Sequence, residues 1–142
     1  MKEKTISTVT EIPVRFSEVD SLQIVWHGHY IKYMEEARED FGKKYGIGYL
    51  DWKTMGYMVP LIKICCEYKR PIQYGDTAIV ETRLVNTDAA KIIFSFMIYR
   101  ASDHELAATG ESVQVFLDMD QELVLTVPKV FEDWKRKHGL RK

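Results

Sequence analysis

The sequence predicts an α+β protein in which an antiparallel β-sheet wraps one long central α-helix. Apolar residues recur at three-and-four spacing over one long stretch, Tyr30 to Tyr45, and the chain beyond it reads mainly as successive strands with period-two alternation. The resulting order, a strand, a long helix and then a run of strands, excludes a doubly wound α/β protein, which needs helices and strands to alternate.

The elements follow in order. A short strand is expected at Ile12 to Phe16. A helix opening near His27 then places Tyr30, Tyr33, Met34, Ala37, Phe41 and Tyr45 on one face. Lys32, Glu36, Glu39, Lys43 and Lys44 fall largely elsewhere, with Glu39–Lys43 and Asp40–Lys44 at favourable i,i+4 spacing. Gly46 and Gly48 end the helix, whose roughly 25 Å length suffices to cross a small sheet. A short helical piece is expected at Tyr49 to Met55, and a terminal helix at Pro128 to Lys137 with Pro128 in its first turn.

Strands are expected at Met58 to Tyr68, interrupted at Pro60, and at Thr77 to Asn86 after a Gly75-Asp76 turn. Ile92, Phe94, Phe96 and Ile98 form the inward row of the next strand. Ala107, Thr109, Glu111, Val113, Val115 and Leu117 share one face of the last long one. A turn around Asp120-Gln121 leads into a short edge, Leu123 to Val127. One helix covers only one face of such a sheet, so outward residues such as Ile79 and Tyr99 need cover, and oligomerisation is the expected remedy.

Composition narrows the function. The 142 residues are the size of one domain, read here as 1–142. Twenty basic residues against 21 acidic ones, with no basic run, argue against nucleic acid as a partner. The N-terminal MKEKTISTVTEIP has no apolar core, and the longest apolar run, Ile92 to Tyr99, is too short to span a bilayer, so a soluble, cytoplasmic protein is expected. The two cysteines, Cys65 and Cys66, are adjacent on a strand and read as reduced packing residues, with a rare vicinal disulfide as the alternative. His27 and His29 are the only close pair among the four histidines, and i,i+2 positions diverge on a helix, so no metal site is expected.

Chemistry concentrates in FSEVDSLQIVWHGHY, Phe16 to Tyr30, where Asp20 lies a few residues before the helix start. A carboxylate there joins a proton acceptor or nucleophile to free backbone N–H groups and the positive end of the helix dipole, half of an acyl-transfer site.

FSEVDSLQIVWHGHYIKYMEEAR resembles the opening of the hotdog-fold 4-hydroxybenzoyl-CoA thioesterase family, including its Tol-Pal-associated acyl-CoA thioesterases. Phe16, Glu18, Asp20, Val25, Trp26, Tyr30, Glu35, Ala37 and Arg38 fall on the family pattern. YKRPIQYGDTAIVET, from Tyr68, and ELAATGESVQVFLDMD are similar to its later landmarks, so the resemblance spans nearly the whole chain. There are departures: Gln23 replaces the glycine three residues after the aspartate, Glu18 replaces the commoner aspartate, and Ala89 and Ala90 replace basic residues that precede the lysine matching Lys91 in some members.

The resemblance implies an acyl-CoA thioesterase without cofactor, forming a homodimer or homotetramer with shared sites. It implies Asp20 as the catalytic carboxylate, nucleophile or general base, with His27 as a second catalytic residue and the N–H at His27 or its neighbour as oxyanion donor. Trp26, Gly28, Tyr30 and Lys91 would bind substrate. Two other functions compete on the same fold. One is a non-catalytic acyl-CoA or acyl-carrier binding protein, which Gln23 keeps in view. The other is a thioester dehydratase, whose proton-shuttling histidine and acid the Asp20 loop resembles less well.

Overall fold

In a computed structural model, described over residues 5–141, the elements are β1 (Ser7–Pro13), α1 (His29–Tyr45), α2 (Tyr49–Thr54), β2 (Leu61–Tyr68), β3 (Thr77–Val85), β4 (Lys91–Arg100), β5 (Leu106–Val115) and α3 (Lys129–Lys137). Met1–Lys4, the start of the stretch read against a targeting segment, and Lys142 lie outside the described residues. The strands form one five-stranded sheet in the order β1-β3-β4-β5-β2, every neighbouring pair antiparallel. Helix α1 packs against one face of it, and the α+β arrangement of a sheet with one long helix is the fold of the chain.

The helix face read from the sequence is the one that is buried: Tyr30, Tyr33, Met34, Ala37 and Phe41 meet the sheet. Opposite them stand Ile92, Phe94, Phe96 and Ile98 of β4 and Ala78, Val80, Thr82 and Leu84 of β3. On β5 the helix-facing row is Ala108, Gly110, Ser112 and Gln114, in register with those β4 residues. The set Thr109, Glu111, Val113 and Val115 therefore shares the opposite face. Ala107 leaves that set, because the ladder slips between Ile98 and Tyr99 and Tyr99 pairs with Leu106. Gly110 in this row faces Met34, which fills the space a side chain there would need. A Cβ on Gly110 would sit 2.3 Å from Met34 Cε.

Three boundaries differ from expectation. β1 covers Ser7–Pro13 rather than Ile12 to Phe16, because Thr8, Thr10 and Ile12 alternate inward beneath the helix, where Thr10 donates to Asp40 at 2.9 Å. Phe16–Glu18 instead forms a 3₁₀ turn. Helix α1 opens at His29 rather than His27, since the His29 N–H closes a turn on the Trp26 carbonyl at 2.9 Å. The edge expected at Leu123 to Val127 is reduced to a single bridge between Leu117 and Leu123, and Leu117 also bridges Met58 across the break at Pro60.

Gly46 ends α1 in the left-handed conformation, φ 76°, as a helix C-terminus favours. The last helix anchors the far end of α1: the Trp134 indole N–H donates to the Tyr45 carbonyl at 2.7 Å, and Phe131 packs edge-on against Trp52. Among the described residues no helix is long and apolar enough to cross a membrane.

Candidate active site

The segment between β1 and α1 is a miniature hairpin. Asp20 N–H donates to the Ile24 carbonyl, Gln23 N–H to the Asp20 carbonyl and Trp26 N–H to the Glu18 carbonyl, each at 2.9 Å. The Asp20 carboxylate accepts the Leu22 N–H at 2.8 Å, an Asx turn that fixes its rotamer. Gln23, at the position where the related pattern has glycine, adopts φ 63°. The tight turn is thus made despite the substitution, at the cost of a left-handed backbone on a residue with a Cβ.

The hairpin is clamped on both sides. Its returning limb adds to the segment after β2, through Val25 N–H to the Ile72 carbonyl at 2.8 Å and Tyr74 N–H to the Gln23 carbonyl at 3.1 Å. Glu18 ties the other limb to the helix, accepting from the Tyr33 hydroxyl at 3.0 Å and from the Arg15 N–H at 2.8 Å. Burial first, and then the Glu18 carboxylate, push the Tyr33 phenol well above its ordinary value. Glu18 is therefore a structural tie for the loop.

After the hairpin, Trp26 lies across Gly28, its ring 4.7 Å from that of His27 and 5.6 Å from that of His29. A Cβ at position 28 would fall 2.1 Å from the indole, so the platform beneath Trp26 depends on Gly28. Among the described residues nothing accepts a hydrogen bond from the N–H of His27 or Gly28. These donors lie at the N-terminal end of α1, where the helix dipole favours negative charge.

Asp20 and His27 open onto one cleft of about 300 Å³, shared with Tyr30 and with Tyr68, Lys69 and Arg70 at the end of β2. Tyr30 is buried, with its ring edge-on to Tyr68 at 5.1 Å, and burial raises its phenol above the ordinary value. The Tyr68 hydroxyl donates to the His27 carbonyl at 2.7 Å.

The cleft thus brings Asp20, His27 and Tyr30 together, with Trp26 and Gly28 beside them. Lys91 is elsewhere. It starts β4, while Arg100 at the other end of that strand donates to the Pro71 carbonyl next to the cleft at 2.9 Å. At about 3.3 Å per residue, nearly the whole strand, roughly 30 Å, separates Lys91 from the cleft of its own chain. In its place the cleft holds Lys69 and Arg70, which sequence reasoning passed over although both lie in the YKRP landmark. Their approach to Asp20 depends on strand pairing across the sheet, and nothing local encodes it.

A larger cavity of about 350 Å³ runs along the flank of α1 between Arg38, Glu39, Trp52 and Phe94. Neither Asp20 nor the start of α1 lines it. Among the described residues no cluster of three His, Cys, Asp or Glu is placed to hold a metal.

A carboxylate and a nearby helix start with unpaired N–H donors are parts that attack on an activated acyl group requires. The chain belongs to the Thioesterase-like superfamily, which it matches over residues 14–135, and its reaction class is thioester hydrolysis. It is 32% identical over 124 residues to the "Putative acyl-CoA thioesterase YneP" of Bacillus subtilis, a match covering 87% of this chain and 89% of that protein. Among solved structures it is similar to a DHNA-CoA thioesterase from Staphylococcus aureus, with TM-score 0.80 and 27% identity over 92% of this chain and 87% of the other. The 4-hydroxybenzoyl CoA thioesterase of a Pseudomonas species shares the fold, with TM-score 0.76 at 17% identity over 90% of this chain and 98% of its own.

Proposed function

We propose that this chain hydrolyses an acyl-CoA thioester to a free acid and coenzyme A, with Asp20 as the catalytic carboxylate. The observation that carries the reading is the placement of Asp20 in one cleft with His27, whose N–H, just before α1, has no acceptor among the described residues. The thioester carbonyl oxygen would accept from the His27 N–H, and charge developing there in the transition state is stabilised by a donor already in position. Asp20 then attacks the carbonyl carbon, giving a mixed anhydride that water hydrolyses to the free acid and the restored carboxylate, or takes the proton of the attacking water; in either route the C–S bond breaks and the leaving thiolate takes up the proton that water supplies. His27 lines the same wall and would orient the acyl group, with Trp26 and Tyr30 forming apolar sides. Lys91 would serve a cleft only if supplied by another copy of the chain.

The binding-only alternative rested on Gln23. Its glycine-like backbone supports the catalytic reading, because the turn that presents Asp20 is kept. A homodimer is supported by β2, which pairs with β5 along one edge and, among the described residues, with no strand along the other. The free cysteines, Cys65 and Cys66, suit a reducing, cytoplasmic setting.

The test is thiol release from aromatic, short-chain and long-chain acyl-CoAs by the native chain and by Asp20→Asn. Loss of at least about 10²-fold in kcat with unchanged folding is expected. Undiminished turnover by Asp20→Asn overturns the assignment of Asp20. Saturable acyl-CoA binding with no hydrolysis of any panel member favours the binding-only protein.

A further inference from the structure

Helix α1 carries three tyrosines, and two of them place the hydroxyl proton inside the protein: Tyr33 donates to Glu18 and Tyr45 to the Ser7 carbonyl, each at 3.0 Å. Tyr30 has no such acceptor among the described residues. It is only 3% exposed, with its ring edge-on to Tyr33 at 6.1 Å and to Tyr68 at 5.1 Å. Its hydroxyl nevertheless opens on the cleft that Asp20 and His27 line, unlike Thr82 Oγ1 and Ser112 Oγ, which are sealed in the interior without partners. The Ile72 N–H approaches the phenol oxygen from the protein side, which occupies a lone pair and leaves the O–H proton free.

Phenylalanine would serve packing equally well, and a hydroxyl this deeply placed is unfavourable unless water or a ligand completes its bonding. We propose that Tyr30 is a catalytic residue whose hydroxyl donates a hydrogen bond to the thioester carbonyl oxygen while Asp20, or the water it activates, meets the carbonyl carbon. The inference rests on the function proposed above and adds a donor to that site. Negative charge gathers on the carbonyl oxygen in the transition state, and oxygen accepts a hydrogen bond better than the thioester sulfur does. The phenol keeps its proton throughout, so the proton balance of the hydrolysis is unchanged. Burial, partly offset by the Ile72 N–H, lifts the phenol above its ordinary value, and Tyr30 therefore remains a donor across the range in which a carboxylate works. A donor felt mainly in the transition state alters kcat more than KM.

Tyr30→Phe removes the hydroxyl and keeps the ring. Benzoyl-CoA and hexanoyl-CoA hydrolysis would be followed for the native chain, Tyr30→Phe and Asp20→Asn, with melting curves for all three. The expected result for Tyr30→Phe is a kcat lower by about 10²-fold, KM within about threefold and a melting temperature no lower than native, since no acceptor within the protein is lost. A second substrate separates a lost hydrogen bond from a displaced ring. In the dithioester analogue of benzoyl-CoA, sulfur replaces the carbonyl oxygen and accepts poorly. The native chain should slow more on that exchange than Tyr30→Phe, by about tenfold, because the variant has no such bond to weaken. A kcat for Tyr30→Phe within about threefold of native, a loss confined to KM, or equal slowing of both proteins on the dithioester overturns the assignment. If Asp20→Asn is inactive while Tyr30→Phe is unimpaired, this inference alone falls. Full turnover by Asp20→Asn overturns the site and this inference with it.

Discussion

Replacing Gln23 by glycine should stabilise the protein without altering its chemistry. Gln23 is held at φ 63°, and a left-handed backbone costs an L-residue roughly 1–2 kcal/mol. Its side chain is exposed and, among the described residues, makes no hydrogen bond, so its removal forfeits no contact of that kind. Glycine returns about 0.5–1 kcal/mol of the gain through its greater freedom in the unfolded chain. The net is a gain of about 0.5–1 kcal/mol, which for a chain of this size raises Tm by roughly 2–4 °C. Thermal melting and urea unfolding at matched protein concentration measure it, the midpoint rising at constant m-value. Thiol release should stay within about twofold of native, because the turn is already in the glycine-like conformation. The companion Gln23→Val should lose more than about 1 kcal/mol, since a β-branched residue is strongly disfavoured at positive φ. A Gln23→Gly variant no more stable than native, or a Gln23→Val variant as stable as it, refutes the account of the loop as strained at this residue.

Three further predictions concern the supports of the site. Gly28→Ala should displace the Trp26 ring, which lies 2.1 Å from the new Cβ position, and lower kcat/KM; in a Trp26→Ala background the same change should have little further effect, giving a non-additive double-mutant cycle. Gly110→Ala drives a methyl into Met34 and should cost about 1–3 kcal/mol by urea unfolding, with additivity to Met34→Ala excluding the overpacking. Tyr33→Phe removes the bond to Glu18 and should cost about 1.5 kcal/mol or more. Because the Tyr33 phenol is raised on folding, its contribution is complete below about pH 10, where the unfolded phenol titrates, and is lost as pH rises towards the folded value. Stability of Tyr33→Phe should therefore fall less steeply above pH 10 than that of the native chain, and parallel slopes count against the coupling.

What was legible in the sequence was set by local periodicity. The buried stripe of α1 and the inward rows of β3 and β4 follow from 3.6- and 2-residue repeats that packing reinforces. The start of α3 was readable from Pro128, which precedes the observed helix at Lys129. Features that depend on distant pairing were harder to read. β1 was placed too late because threonines, polar in composition, fill its inner row. The helix start was placed two residues early because His27 and Gly28 belong to a turn closed by Trp26. The clustering of Asp20, His27 and Tyr30 could be anticipated since they flank one helix start. Lys69 and Arg70 could not, because only the alignment of β2 against β5 and the hairpin brings them there.

The hairpin that carries Asp20 is fastened almost wholly through its peptide groups: to itself at Ile24, to Glu18 through Trp26, and to Ile72 and Tyr74 alongside. Fastening of that kind is indifferent to most side chains. Ser21 and Leu22 can therefore be exchanged at little structural expense, and Gln23 for residues that tolerate a left-handed backbone, which makes this loop a place where descendants of one ancestral enzyme can change what surrounds the reactive carboxylate while leaving its bearing intact.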